Sequence, residues 1–264
     1  MNSPLISILS AFKNDIKMLK LVMDSVLEQN YPKVEHVIID GESTDGSVDL
    51  LKEYESKYFL KGYLLVWKSE KDNNSSEAYN KAAGIASGAY FIQFTNLFVS
   101  DNSLKTIVDL LVNGGYHGVA GGYIYLRNGR IIRRWSGKQL PWRLGWMAAT
   151  ETFLISRTVL EKYEIADPAF KRSSDYNFQL SLFLDPKIIV KSFNIPITLF
   201  ISGGESNGGF MNNLKSIYWD YIALRNHKVK FAFFTSFCKC IHAFFGYLLA
   251  PRTIISSKHI NKLN

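Results

Sequence analysis

Asp40 ends the apolar run "VIIDGESTDGS" and is followed at once by Gly41. An acid at the tip of a buried parallel strand, next to a glycine turn, is placed to hydrogen-bond a ribose or a base. Acid–glycine turns are also ordinary loop chemistry, so the pattern needs company. Asp72 supplies some, lying in the polar loop of "SEKDNNSSEAYNKAAG" just before a helix-forming stretch. The contrast is "GAYFIQFTNLFVSD", residues 88–101, a buried run whose open end holds Thr95, Asn96, Leu97 and Phe98, with no acid before Asp101. A hard divalent cation bridging phosphates wants at least one carboxylate, and the Asn96 amide oxygen is a weak substitute. Positive charge is close in sequence: residues 121–150 carry Arg127, Arg130, Arg133, Arg134, Lys138 and Arg143 and no acid. Guanidinium groups grip phosphate in bidentate pairs and can replace a metal on a leaving diphosphate. They also serve as a solvated face or as a grip on a lipid headgroup.

These residues need a frame that brings strand tips together. Apolar β-prone runs at 5–11, 35–40, 62–67 and 89–94 alternate with helical spacing from Asp15 to Glu28, from Val48 to Tyr58, and from Ser76 to Ala86. Such alternation predicts a mostly parallel sheet flanked by helices, an α/β fold with ligands beyond the carboxyl ends of its strands. Asp45 or Ser43 is expected to cap the second helix, and Asp101, with Ser103 nearby, the helix after the fourth strand. After residue 117 the pattern changes. "GVAGGYIYLRNGRIIRRW" predicts a hairpin turning at Arg127–Arg130. A short strand at 153–155, a helix opening near Arg157, a helix over 175–183, and two strands near 188–193 and 197–201 are expected to follow.

The 264 residues, 47% hydrophobic and 20% charged, describe an ordered globular chain. Cys238 and Cys240 are too few for a disulfide framework or a zinc site. The first residues lack the pattern of a signal peptide, so a cytoplasmic location is expected. Of the net charge of +8, +7 falls in the last 44 residues, which have no acid after Asp220. There "FAFFTSFCKCIHAFFGYLLA" (231–250) is long enough to span a bilayer, but Lys239 and His242 near its centre make that costly. As a helix it puts Phe234, Phe237, Cys238, Ile241, Phe245 and Leu248 on one stripe, away from Thr235, Lys239, His242 and Gly246. That pattern predicts a basic helix lying on the inner face of the membrane; packing on the protein's own core is the alternative. No nucleic-acid partner is expected, because the aromatics form one apolar stripe instead of lining a basic groove.

The motifs, in this order, resemble the bacterial family 2 glycosyltransferases of the GT-A fold. "IIDGESTDGS" is a close match to that family's "V-I-D-G-x-S-T-D-G-T", and "SEKDNN" a partial one to "S-E-x-D-x-G". "ETFLISRTVLEKYEIADPAFKRSSDYNFQLSLF" is similar to the stretch that re-enters the sheet and presents an Asp on a helix. "LFISGGESNGG" matches a glycine-pair-plus-serine segment of one bacterial subgroup. The resemblance covers about residues 4–208. It implies a GT-A domain over 1–208, with a nucleotide-binding half (1–116), an acceptor-binding half (117–208) and a helical extension over 209–264.

The implied activity moves a sugar from a nucleotide-diphosphate sugar to a glycan or lipid-linked acceptor, as in surface polysaccharide synthesis. Ser10, Phe12, Asp40, Asp72 and Asn96 fall at nucleotide positions, with Phe12 either stacking on a base or packing in the core. Asp175 falls at the general base, with a plain helix-start acid as its alternative. Arg133, Arg134, Arg143, Gly203, Gly204 and Ser206 are candidates for the diphosphate or the acceptor. The family expects manganese or magnesium, but its Asp-x-Asp motif falls on Thr95, Asn96 and Leu97. A His-Gln pair common in the subgroup is replaced by Ala149 and Thr150. Three expectations follow: a transferase that uses protein cations in place of the metal, a nucleotide-sugar binder with little turnover, and a membrane-attached interaction protein with an unused site.

Overall fold

The computed structural model describes residues 3–127, 130–137, 141–144, 147–167, 170, 173–201 and 209–248, with the side chains of 127, 130, 209–214 and 242–248 left aside. The first half is a regular alternation: β1 (Ile6–Phe12), α1 (Ile16–Leu27), β2 (Val34–Asp40), α2 (Ser47–Lys61), β3 (Leu64–Ser69), α3 (Ser75–Ile85) and β4 (Tyr90–Gln93). β1, β2, β3 and β4 pair in parallel in the order β3-β2-β1-β4. Both faces of β1 and β2 are covered, so these strands are buried almost throughout, their polar residues Ser7, Ser10, Glu35 and His36 included. One face packs on α1, α2 and α4 (Ser103–Gly114) through Leu19, Val22, Leu51 and Leu104; the other packs on α3 and α6 (Ser174–Leu184) through Ala78, Ala82 and Phe178.

Local chemistry sets the ends of these elements. Asp15 caps α1 by accepting from the Met18 N–H at 3.1 Å, and Asn74 caps α3 by accepting from Glu77 at 3.0 Å. Gly62 closes α2 at φ +77°, a conformation costly for any residue with a Cβ. Gly46, not Asp45 or Ser43, is the cap residue of α2. Asp45 works from just outside: one oxygen takes the Ser47 N–H and hydroxyl, and the other takes the Ile16 N–H at the start of α1. Asp101 does not cap α4 (Ser103–Gly114). The residue at that cap is Asn102, whose side chain makes no capping bond to the helix, and the Asp101 carbonyl instead accepts from the Asn30 N–H at 2.8 Å.

The second half is mixed. β5 (Leu97–Phe98), β6 (Gly118–Arg127), β7 (Arg130–Trp135), β8 (Phe153–Ser156) and β9 (Val190–Ile201) complete a nine-stranded sheet among the described residues. The expected hairpin is β6–β7. The two strands expected over 188–201 are one, β9, which carries Pro196 at a register shift against Gly122; a bulge tolerates the missing N–H. β5 was not expected at all. Only Phe94 to Asn96 separate β4, which pairs with β8, from β5, which pairs with β9, and β6 lies between β8 and β9. The sheet therefore curls, and those three residues sit where it closes. α5 (Arg157–Leu160) and α6 (Ser174–Leu184) cover one face, while α7 (Gly209–Asn226) and α8 (Ala232–Leu248) pack on α6 through Tyr176, Leu180, Ala223, Leu224 and Ala232.

A buried chain of polar groups pins the middle of the sheet. His36 has no exposed surface; its Nε2 lies 2.8 Å from the Ser10 hydroxyl and its Nδ1 2.6 Å from the Tyr58 hydroxyl. Burial pushes its pKa down to about 3, so the ring is neutral at physiological pH. Ser10 also donates to the Phe94 carbonyl. The Ser10 side chain is thus spent inside the sheet. Phe12, at the end of β1, is 8% exposed and packs in the core against its neighbours.

Candidate active site

Four parallel strands end on one edge. The register aligns Phe12 with Asp40 and Asp40 with Ser69, so the loops after β1, β2 and β3 converge there. They are tied to one another: the Asn14 N–H donates to Ser43 at 2.8 Å, and the Thr44 N–H donates to the Asn14 amide oxygen at 2.8 Å. Asn14 sits at φ +51°, where asparagine is tolerated better than most residues.

Asp40 is fully buried. Its Oδ2 accepts from the Ser43 N–H at 3.0 Å and the Ser69 hydroxyl at 2.6 Å. Its Oδ1 is buried without a partner among the described residues. An orphaned carboxylate oxygen carries a desolvation cost that a ligand donor would relieve. Asp72 comes to the same place. A Cβ at Gly41 would stand 2.7 Å from Asp72 Oδ2 and 3.2 Å from Lys13, so the glycine lets the Asp72 carboxylate and the Lys13 stem close over the turn. The structure thus brings Asp40 and Asp72 together, as their strand tips imply.

The tip of β4 holds a carboxylate after all, delivered from another element. β8 runs antiparallel to β4, with Tyr90 facing Ser156 and Phe91 facing Ile155. The same register carried on brings Thr95 opposite Glu151, in the short 3-10 turn Thr150–Thr152 that opens β8. The Thr95 hydroxyl donates to Glu151 Oε1 at 2.7 Å and the Asn96 amide donates to Oε2 at 2.8 Å. Burial pushes the Glu151 carboxyl up, and these two hydrogen bonds oppose the shift. The Asn96 oxygen is also engaged, accepting from the Ile201 N–H at 3.2 Å. Asn96 is therefore a clasp between β8 and β9 and offers no free ligand oxygen of the kind its amide suggested.

The donor set does not suit the metal that the resemblance implies. The one carboxylate at this tip is bonded through both oxygens, and no group of three or more His, Cys, Asp or Glu residues forms among the described residues. A divalent ion on a diphosphate needs better oxygen donors than these.

Asp175 stands exposed in the first turn of α6, where the helix dipole favours an anion. The Thr150 hydroxyl donates to its Oδ2 at 3.2 Å. Thr150 and Glu151 are neighbours, so one turn touches both Asp175 and the β4 tip. The arginines lie to one side. β8 pairs Gly118–Ala120 and β7 pairs Tyr123–Arg127, while β9 occupies the other edge of β6, so β7 continues the lane that β8 opens. Arg134 is exposed, and Arg133 lies 5.7 Å from the Tyr123 ring with its Nε buried and without a partner among the described residues. Arg143 is exposed and stacks over Trp142 at 4.5 Å in the turn Trp142–Leu144. Lys138, Gly203, Gly204 and Ser206 lie outside the described residues.

Glu151 is the site residue that the motifs miss. Its signal was slight: a lone acid just after a stretch of 41 residues without one, directly before a short apolar strand.

Comparison with known proteins fits this arrangement. The sequence of Glycosyl transferase family 2 matches over residues 7–171. A Bacillus subtilis (strain 168) protein named as a teichuronic acid biosynthesis glycosyltransferase, TuaG, is 33% identical over 87 residues, covering 33% of this chain and 33% of that one. An uncharacterized glycosyltransferase of Mycobacterium tuberculosis (strain H37Rv) is 28% identical over 117 residues, 43% of this chain and 42% of its own. The matched stretch is thus well under half the length of either relative. Among solved structures, S. aureus TarS 1-349 in complex with UDP-GlcNAc superposes with a TM-score of 0.65 at 16% identity, over 84% of this chain and 66% of that one. The mannosyltransferase PcManGT from Pyrobaculum calidifontis, in complex with GDP-Man and Mn2+, does so with a TM-score of 0.65 at 13% identity, over 100% and 79%. The curled, helix-flanked sheet with its acids at one edge is a GT-A fold, and the chain belongs to glycosyl transferase family 2.

Proposed function

We propose that the chain transfers a sugar from a nucleoside-diphosphate sugar to a hydroxyl of a cell-wall or surface polysaccharide intermediate, without a metal ion on the diphosphate. The orphaned Asp40 Oδ1, buried at the edge where the strand tips meet, carries this reading. It supplies an acceptor for a base or ribose donor, with Asp72 beside it. In the displacement the acceptor oxygen bonds to the anomeric carbon as the bond to the diphosphate oxygen breaks. The hydroxyl proton passes to Asp175, and the electron pair leaves on the diphosphate. Arg134, exposed in the lane beyond β8, supports a role for protein cations in meeting that charge.

Calorimetric titration with UDP and with GDP, each in manganese and in chelator, tests the reading. Binding of one nucleotide that survives chelation is expected. Asp40→Asn should weaken it by roughly 10- to 100-fold, the value of a hydrogen bond to a charged group. Binding that requires manganese ends the metal-free part. Binding of neither nucleotide ends the transferase reading and leaves an interaction protein on an inherited fold.

The orientation of α8 supports a lipid-linked acceptor at the inner membrane surface. No helix of the described residues is long and apolar enough to cross a membrane. Yet Phe231, Phe233, Phe234 and Phe237 are each more than half exposed, whereas Thr235 and Ser236 are buried. The polar side of α8 faces the protein and the aromatic side faces out, with Arg225, Lys228 and Lys230 exposed just before it. An outward aromatic face edged with cations suits an anionic lipid surface. In a flotation assay the protein should rise with vesicles containing phosphatidylglycerol, and Phe233, Phe234 and Phe237 changed together to Ser should leave it at the bottom. Wild-type protein that stays at the bottom would sink the idea.

A further inference from the structure

We infer that Glu151 is a positioning residue for sugar transfer, acting by fixing the β4 tip and the base-bearing helix in one frame. The inference rests on the transferase reading above. Glu151 is the common partner of three parts of the site. Its carboxylate accepts from Thr95 and Asn96 where the sheet curls closed. Its backbone carbonyl accepts from the Thr198 hydroxyl of β9 at 2.6 Å. The residue before it, Thr150, donates to Asp175 at 3.2 Å. The same turn is bolted to α6 a second time: the Gln179 amide makes both hydrogen bonds to the Ala148 backbone, each at 2.9 Å.

The frame extends further through Asn96, which holds the Ile201 N–H at the end of β9. Tyr79 of α3 hydrogen-bonds Thr95 and feels the charge of Glu151. A partly buried carboxylate is costly unless it is hydrogen-bonded, and here both of its bonds go to the two residues where the sheet changes partners. Without Glu151, Thr95 and Asn96 lose their common acceptor. The turn carrying Thr150 then keeps its backbone bond to Thr198 but loses its side-chain tie to the β4 tip, and Asp175 drifts relative to the acceptor hydroxyl. Displacements of about 1 Å at a reacting pair cost about 100-fold in rate.

Glutamine distinguishes geometry from charge. Its amide can still bridge the pair, with its oxygen accepting from Asn96 and its NH2 donating to the Thr95 hydroxyl. Alanine can do neither. The test measures release of nucleoside diphosphate from UDP-GlcNAc, UDP-glucose and GDP-mannose by wild type, Glu151→Gln and Glu151→Ala, together with nucleotide affinity and melting temperature. The expected result is a kcat within about threefold of wild type for Glu151→Gln and about 100-fold lower for Glu151→Ala. Nucleotide affinity should be little changed in both, because Asp40 and Asp72 lie on other loops. Wild-type kcat in Glu151→Ala overturns the inference, as does a Glu151→Gln variant as impaired as the alanine, which would assign the role to the charge. Equal losses in kcat and nucleotide affinity would show a general structural defect and overturn it too. A wild-type chain that releases nucleotide from none of the three donors fails the transferase reading and takes the inference with it.

Discussion

Asp175→Asn should bind sugar nucleotide as the wild type does and turn it over about 100- to 10,000-fold more slowly, the usual contribution of a general base. The geometry makes this a clean substitution. Asp175 is exposed at the start of α6, and its one hydrogen bond with a side-chain donor among the described residues comes from Thr150. An asparagine oxygen accepts that bond equally well. What disappears is the negative charge able to take a proton from the attacking hydroxyl. The structural cost is confined to the favourable meeting of an anion with the helix N-terminus, about 0.3–1 kcal/mol. Nucleoside diphosphate release at saturating donor, beside calorimetric affinity for the same nucleotide, separates the two effects. Unchanged kcat would move the base elsewhere. A parallel fall in affinity would place Asp175 among the donor contacts and not at the acceptor hydroxyl.

The strand tips were legible because parallel strands announce themselves locally. Asp40 lies at the end of an apolar run and before a glycine, and β2 has to be buried on both faces for that run to make sense. Asp72 was legible for the same reason. Ser10 was not. Its position at a strand end said nothing of His36 and Tyr58, distant in sequence, which take up its hydroxyl in the core. The β4 tip was the least legible part. Its missing carboxylate is real in sequence, yet a carboxylate is present in space, because β8 returns antiparallel and delivers Glu151 to the level of Thr95. Pairing across 56 residues leaves no periodic trace, whereas a helix or a hairpin does. β5 escaped for a related reason: a two-residue strand gains its identity only from β9.

The C-terminal helix shows a comparable inversion, and it leads to the largest stability effect expected of a single substitution. The apolar stripe of α8 invites either its own core or a membrane, and its lysine looks like the exposed partner of that stripe. In the structure Lys239 turns inward. Its Nζ lies 2.6 Å from Asp220 Oδ2, with the Asp220 side chain only 3% exposed, and sits 3.9 Å from the centre of the Tyr176 ring. Burial pushes the Asp220 carboxyl up, and Lys239 opposes that shift.

Lys239→Met keeps the stem over Tyr176 and removes the charge, leaving Asp220 buried and uncompensated. A loss of about 3 kcal/mol is expected, the lower end for breaking a buried pair because Lys239 keeps some contact with solvent. The sign with pH follows from the Asp220 carboxyl. A carboxyl whose folded pKa is raised favours folding below its unfolded value, and that contribution fades as pH rises through the folded one. The Lys239→Met deficit should therefore be greatest at neutral pH and shrink as the solution is acidified. Adding Asp220→Leu should recover most of it, since an apolar pair has no charge to strand. Denaturant titrations at neutral and mildly acid pH check all three outcomes. A Lys239→Met variant as stable as wild type at neutral pH would mean that the ion pair does not hold α8. The outward aromatic face would then have no fixed reason to point away from the protein.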